Sequence, residues 1–280
     1  GIYKVKGKDN MSHKTLFLQQ SYEDCTRQYM ELLEKQKMPL WDYVILTASN
    51  ESQAQSYRMQ IQYRLDHGML PKSIHYAVLP DPDGKRVGSG GATLNVLRYI
   101  HQDAGSFDDK RILVIHSGGD SKRVPQYSAC GKLFSPVPRL LPNGRRSTLF
   151  DEFMISMCGV AARIRAGMLV CSGDVLLLFN PLQIDFYGSG AAALSIKEPA
   201  EIGKNHGVYR VDEQGNVGGF LHKKTVDQLH ELQAADENGN VDIDTGAVIM
   251  DTDLLKALYK LVDTPEQFDA YVNENTRLSF

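Results

Sequence analysis

The sequence predicts an α/β domain built on a mainly parallel, twisted sheet with helices on both faces. Three observations carry that expectation. Short β-branched and apolar runs recur at residues 43–48, 74–79 and 111–116. A stretch of helix-forming composition follows the first directly and the other two after a glycine-bearing loop, and each stops abruptly at Ser, Asn, Gly or Pro. Strands that alternate with helices in this way are joined by crossovers, which makes neighbouring strands parallel and covers the sheet on two sides.

Taken in order, residues 1–10 are polar and lysine-rich ahead of Met11, and read as a vector-derived or disordered leader outside the domain that spans 11–280. Residues 21–35 place Cys25, Tyr29, Leu32 and Leu33 at helical spacing. After the strand at 43–48, residues 51–67 form a helix that closes at Gly68. The strand at 74–79 runs into the turn cluster Pro80-Asp81-Pro82-Asp83-Gly84. Gly88-Ser89-Gly90-Gly91-Ala92-Thr93 then reads as a glycine-rich loop feeding a helix at 94–101. Such a loop offers unpaired N–H groups and the positive end of a helix dipole to an anion. It also fits a plain tight turn, and without a lysine in the required place it is not a P-loop.

The strand at 111–116 is the centre of the chain. It ends in Ser117-Gly118-Gly119, with Ser121, Lys122 and Arg123 close behind, and Gly131-Lys132 precedes Leu133-Phe134-Ser135-Pro136-Val137. Ligands of open α/β sheets bind at strand carboxyl ends, and paired glycines followed by cations suit a polyphosphate. Ser147-Thr148 caps a helix to 165, with Thr148 and Asp151 spaced as a capping box. Residues 167–178 form a strand broken by Ser172-Gly173-Asp174, where the carboxylate either binds a cation or caps a turn. A strand at 191–196 precedes a hairpin of 206–210 and 217–223 around Asp212–Asn216. Asp242 opens a strand to Met250, and residues 253–262 form a short amphipathic helix. The remainder reads as stopping short of the domain's C-terminal end.

Composition narrows the classes. A net charge of −3 gives no field to recruit nucleic acid or an anionic membrane, so phosphate binding falls to local cations. No apolar run is long enough to cross a bilayer, and no signal peptide pattern is present. Cys25, Cys130, Cys158 and Cys171 show neither zinc nor CxxC spacing, which points to reduced thiols in a cytoplasmic protein.

These residues resemble the sugar-nucleotide pyrophosphorylases, whose signature has the form L-x-G-G-x-G-T-R followed by P-K and an apolar P-V. Here it stands as His116-Ser117-Gly118-Gly119-Asp120-Ser121-Lys122-Arg123, then Gly131-Lys132-Leu133-Phe134-Ser135-Pro136-Val137. With Gly88–Asn95 upstream, the chain resembles the fucose-1-phosphate guanylyltransferase branch, in particular the N-terminal part of bifunctional fucokinase/GDP-fucose pyrophosphorylases, from about residue 40 to about residue 275.

The resemblance implies a Rossmann-like three-layer nucleotidyltransferase domain with the β-hairpin insert on the sugar side. The implied substrates are GTP and a sugar 1-phosphate, with Mg²⁺ as cofactor and a C-terminal sugar kinase as a natural fusion partner. It further implies that Arg123, Lys132 and Lys122 are catalytic, and that Gly88, Ser89, Gly90, Gly91, Ser117, Gly118, Gly119 and Ser121 hold the nucleotide. Lys223 would take the sugar phosphate, and Asp174 and Asp244 the metal. His222 and Lys224 depart from the family's Glu and Pro around Lys223, which leaves it as either a phosphate ligand or a solvated hairpin lysine. Uridylyl transfer, a sugar kinase and a binding domain without turnover are the competing classes.

Overall fold

In the computed structural model the described residues are 3–5, 11–35, 39–117, 132–172, 190–214 and 216–278. They form one large mixed sheet in the order β1-β8-β11-β7-β4-β2-β3, with a hairpin added on β11. The parallel half comprises β2 (Tyr43–Ala48), β3 (His75–Pro80), β4 (Arg111–His116) and β7 (Gly167–Ser172). Beside it, β11 (Asn240–Met250) runs antiparallel between β7 and β8 (Ala191–Pro199). The sheet is therefore parallel from β7 to β3 and antiparallel where β11 joins β7 and β8. Within the leader set aside above, β1 (Tyr3–Val5) pairs parallel with β8.

The buried strands explain the two helical layers. All six residues of β2 and the four from Ile112 to Ile115 in β4 are buried, and successive side chains point to opposite faces. Val44, Leu46, Leu113 and Ile115 pack under α1 (Met11–Glu34), α2 (Glu51–Asp66) and α4 (Leu149–Ala161). Ile45, Ile112 and Val114 pack under α3 (Gly88–Ala104), α7 (Thr252–Tyr259) and α8 (Pro265–Tyr271). Each such side chain contributes about 1.5–3 kcal/mol of gross burial energy, so this central pair anchors the domain.

The expected cap of α4 is present: Thr148 and Asp151 exchange hydrogen bonds as a capping box, although the helix ends at Ala161 rather than at 165. Asp151 also receives Nε and Nη2 of the buried Arg64 at 2.8 and 3.1 Å. One local reading needs correction. Residues 88–93 are not a loop but the opening turns of α3. Gly88 has φ +81, and a Cβ there would sit 2.4 Å from the Leu278 carbonyl oxygen, so glycine is needed to let the later chain approach.

A smaller layer completes the fold. The predicted hairpin is β9 (Gly207–Val211) with β10 (Val217–His222), and β9 pairs with β11. It packs on α5 (Ala200–Gly203) and α6 (Val226–Glu231) through a core of Ala200, Val208, Leu229, Ala234, Val241 and Ile243. In sequence between β4 and α4, β5 (Pro136–Leu140) and β6 (Arg146–Thr148) make a separate two-stranded ribbon.

Candidate active site at the strand-order reversal

From β2 the chain crosses through α2 to β3 on one side, whereas from β4 it crosses through α4 to β7 on the other. The strand order reverses between β2 and β4, the point at whose carboxyl ends the binding crevice of such sheets lies. The two loops that flank it are tied together. Asn50 caps α2 by accepting from Gln53 N–H at 2.9 Å, while Gln53 Oε1 accepts from Ser49 N–H at 2.8 Å and from Ser117 Oγ at 3.4 Å.

His116 lies beneath this crevice. Its Nδ1 is 2.9 Å from Thr47 Oγ1, its Nε2 is 3.0 Å from Thr93 Oγ1, and Thr93 donates its own proton to Ser89 O at 2.8 Å. Since that hydroxyl has one proton, it must accept from His116 Nε2–H, which leaves Nδ1 to accept from Thr47. Burial pushes the imidazole pKa down to about 4, consistent with a neutral ring. The network joins β2, β4 and the start of α3 at one point. Sequence reasoning passed over His116 as the end of an apolar strand; the available signal was a polar ring on a strand otherwise buried, with threonines one residue from the end of β2 and in the second turn of α3.

Several expected nucleotide ligands can be placed. Ser117 is half-buried at the crevice, and Gly88, Ser89, Gly90 and Gly91 open α3 beside His116. The N–H groups of Gly90 and Gly91 donate to Leu278 O at 2.7 and 3.3 Å, so the chain itself occupies donors expected to face an anion. Gly118, Gly119, Ser121, Lys122, Arg123 and Asp174 lie outside the described residues.

Lys132 opens a 3-10 turn, Lys132–Phe134. That turn is fixed by buried Leu133 and Phe134. The Phe134 ring lies 5.2 Å from Tyr57 and 5.0 Å from Phe150, with the Arg64 guanidinium 5.1 Å above it. Asp81, treated above as part of a turn, follows β3 with its N–H on Ala48 O. Desolvation raises its carboxyl to about 6 against the opposing pull of the Val87 backbone and Arg86.

The acidic side of the site comes from β11. Asp244 precedes a bulge that Gly246 makes possible with φ +74. Gly246 lies against Ser172, the last described residue of β7, with 3.5 Å between the Ser172 Cβ and the position a Gly246 Cβ would take. Two donors converge on Asp244 Oδ1: the Tyr209 hydroxyl at 2.9 Å and Gly246 N–H at 2.7 Å. Among the described residues Oδ2 takes no hydrogen bond, and no cluster of three His, Cys, Asp or Glu is present. Lys223 is exposed one residue beyond β10, in left-handed backbone at φ +51 with its N–H on His206 O. The fold thus gathers Ser117 and the start of α3 at the crevice, brings Asp244 toward the end of β7, and leaves Lys223 at the hairpin's margin.

The chain matches the family described as the fucose pyrophosphorylase domain over residues 104–280. It is 31% identical over 247 residues to a bifunctional fucokinase/GDP-fucose pyrophosphorylase of Arabidopsis thaliana, covering 76% of this chain and 23% of that protein. It is 32% identical over 209 residues to a fucose-1-phosphate guanylyltransferase of Mus musculus, covering 69% and 35%. The Homo sapiens protein of the same name is 29% identical over 243 residues, covering 80% and 39%. The chain therefore spans well under half the length of these relatives. Among the described residues no helix is long and apolar enough to cross a membrane.

Proposed function

The chain belongs to the fucose pyrophosphorylase family, and from that premise we propose that it joins GTP and L-fucose 1-phosphate to give GDP-L-fucose and pyrophosphate. A phosphate oxygen of the sugar attacks the α-phosphorus, the bond from that phosphorus to the β-bridging oxygen breaks, and pyrophosphate leaves in line. The protein's part in such a transfer is positioning and neutralisation. The observation that carries the reading is the strand-order reversal between β2 and β4, where β4 ends at Ser117 beside the start of α3.

In this reading Ser117, Gly118, Gly119 and Ser121 cradle the triphosphate, while Lys122 and Arg123 neutralise the departing pyrophosphate. Lys132, on its anchored turn, holds the α-phosphate, and Lys223 takes the phosphate of the sugar. Contact through Gly88, Ser89, Gly90 and Gly91 entails exchange of Leu278 O for an acceptor on the nucleotide. Asp174 and Asp244 would hold Mg²⁺, which when bound neutralises charge on the phosphate oxygens. Asp244 fits that role: both of its local donors fall on Oδ1, which leaves Oδ2 for a hard cation. Buried free thiols at Cys25, Cys158 and Cys171 support a cytoplasmic setting, and the bifunctional relatives support fusion to a sugar kinase in the whole protein.

One second reading is a nucleotide-binding segment without turnover. Pyrophosphate release from GTP and L-fucose 1-phosphate, with UTP as the competing donor, separates the two. Asp244→Asn is expected to abolish Mg²⁺-dependent release while retaining GTP binding. Faster release from UTP defeats the guanylyl assignment. GTP binding without release selects the second reading, and undiminished release by Asp244→Asn removes that residue from the metal site.

A further inference from the structure

One side of α2 carries Gln53, Tyr57, Gln60 and Arg64, three and four residues apart, a spacing that a helix stacks into a single row. The row reaches two parts of the site. At its start Gln53 Oε1 accepts from Ser117 Oγ at 3.4 Å, and Ser117 directly follows β4. Farther along, Tyr57 and Arg64 both pack on the ring of Phe134, which shares a single 3-10 turn with Lys132.

Arg64 is the centre of the second contact. A guanidinium has five N–H donors, and here all five are used. Nε and Nη2 donate to the two oxygens of Asp151, Nη2 donates also to Thr148 Oγ1 at 3.4 Å, and Nη1 donates to the carbonyl and the side-chain oxygen of Gln60 at 3.0 and 2.9 Å. Its flat faces are left for rings: the guanidinium carbon lies 5.1 Å from the centre of Phe134 and 5.7 Å from that of Phe150. The turn has two further ties to the same place. Leu149 N–H donates to Ser135 O at 3.4 Å, and Pro136 pairs in register with Thr148. The residues after Lys132 are thus fastened to the start of α4, and Arg64 fastens that start to α2.

We propose that Arg64, acting through Phe134, is a positioning residue for Lys132 in the transfer proposed above, on which the inference rests. A buried ion pair adds little stability that well-packed apolar side chains could not supply. A planar guanidinium with every donor committed does hold one orientation, and that orientation sets where the Phe134 ring sits and with it the turn that Lys132 opens. Because the same helix bonds Ser117 through Gln53, Lys132 and Ser117 are referred to one rigid element. Transfer between phosphates depends on such placement, since a shift of about 1 Å in a positioned group can cost about a hundredfold in rate. Lysine at position 64 would keep the charge but offers three donors on a flexible stem and no flat face.

The test is a double-mutant cycle. Phe134→Leu removes the ring and leaves Arg64 paired with Asp151, whereas Arg64→Lys keeps the charge and loses the fork. Each is made alone and together with Lys132→Ala, and pyrophosphate release and GTP affinity are measured under conditions where urea unfolding shows every form to be folded. The expected result is a fall in kcat of about tenfold or more for either single variant, with the KM for L-fucose 1-phosphate unchanged, and no further fall when either is added to Lys132→Ala. An equal loss with and without the Lys132 side chain, or a wild-type kcat in Phe134→Leu, overturns the proposal. If Arg64→Lys does not fold, Phe134→Leu decides alone. If the wild type binds GTP but releases no pyrophosphate, the transferase reading falls and the same cycle in GTP affinity decides the positioning: a loss confined to forms that retain Lys132 upholds it, and a loss independent of Lys132 overturns it. A wild type that binds no GTP overturns both.

Discussion

Replacing His116 by Gln measures what the half-buried imidazole contributes to the fold beneath the crevice. An unfolded histidine titrates near 6.5 and this one near 4, a difference of about 2.5 pH units, or up to about 3 kcal/mol. The folded state binds fewer protons than the unfolded state in that interval. Stability from this group is therefore complete above about pH 6.5 and drains away as the pH falls to about 4. Gln can still donate to Thr93 but gives up the bond from Thr47, a loss of about 1 kcal/mol.

The wild type should thus be the more stable protein near neutrality, and the order should reverse by about pH 4. Urea unfolding of both proteins between about pH 7.5 and about pH 4.5 gives the difference directly. The difference is the right quantity because Asp81 acts in the opposite sense. Its raised carboxyl takes up a proton on folding below about 6 and flattens the wild-type curve, but it is common to both proteins. Parallel curves over the whole interval would refute the neutral assignment.

Two further perturbations probe long-range anchors. Gly88→Ala forces a side chain into left-handed backbone and against Leu278, and should lower stability by about 1–2 kcal/mol while exposing residues 273–278 to protease; an unchanged cleavage pattern would show that the contact does not hold that segment. Arg64→Ala leaves Asp151 buried without its partner, both side chains being 6% exposed, and should cost about 3–5 kcal/mol in chemical denaturation. Arg64→Lys should recover little of that loss, since a single ammonium cannot reproduce the forked contact; full recovery would reduce the pair to simple charge.

Legibility in the sequence followed the range of the interactions. β2 and β4 match their expected limits because a strand buried on both faces is an unbroken apolar run, and polar loop residues mark its ends. The Thr148–Asp151 cap was visible because it is local. Its partner Arg64 was not, since 87 residues separate it from Asp151. The opening of α3 was misread as a loop because glycines are poor helix formers, and what stabilises them there is the carbonyl of Leu278, far along the chain. At Asp244 the residue type announced a ligand, but its orientation depends on a tyrosine from the hairpin. Lys122, Arg123 and Asp174, which carry most of the proposed chemistry, lie outside the described residues, so their roles rest on the family resemblance.

The place of β11 between β7 and β8 also governs how the molecule is made. On the ribosome β7 and β8 both emerge before the strand that joins them, and until Asn240–Met250 follows, each presents an open edge to other chains. Closing the sheet requires pairings between residues far apart in sequence, the slow kind of step in folding and the one most exposed to misassociation. The same strand carries Asp244. A nascent chain therefore acquires its acidic side only at the moment its sheet becomes continuous, and folding intermediates that lack that strand lack the proposed metal ligand as well.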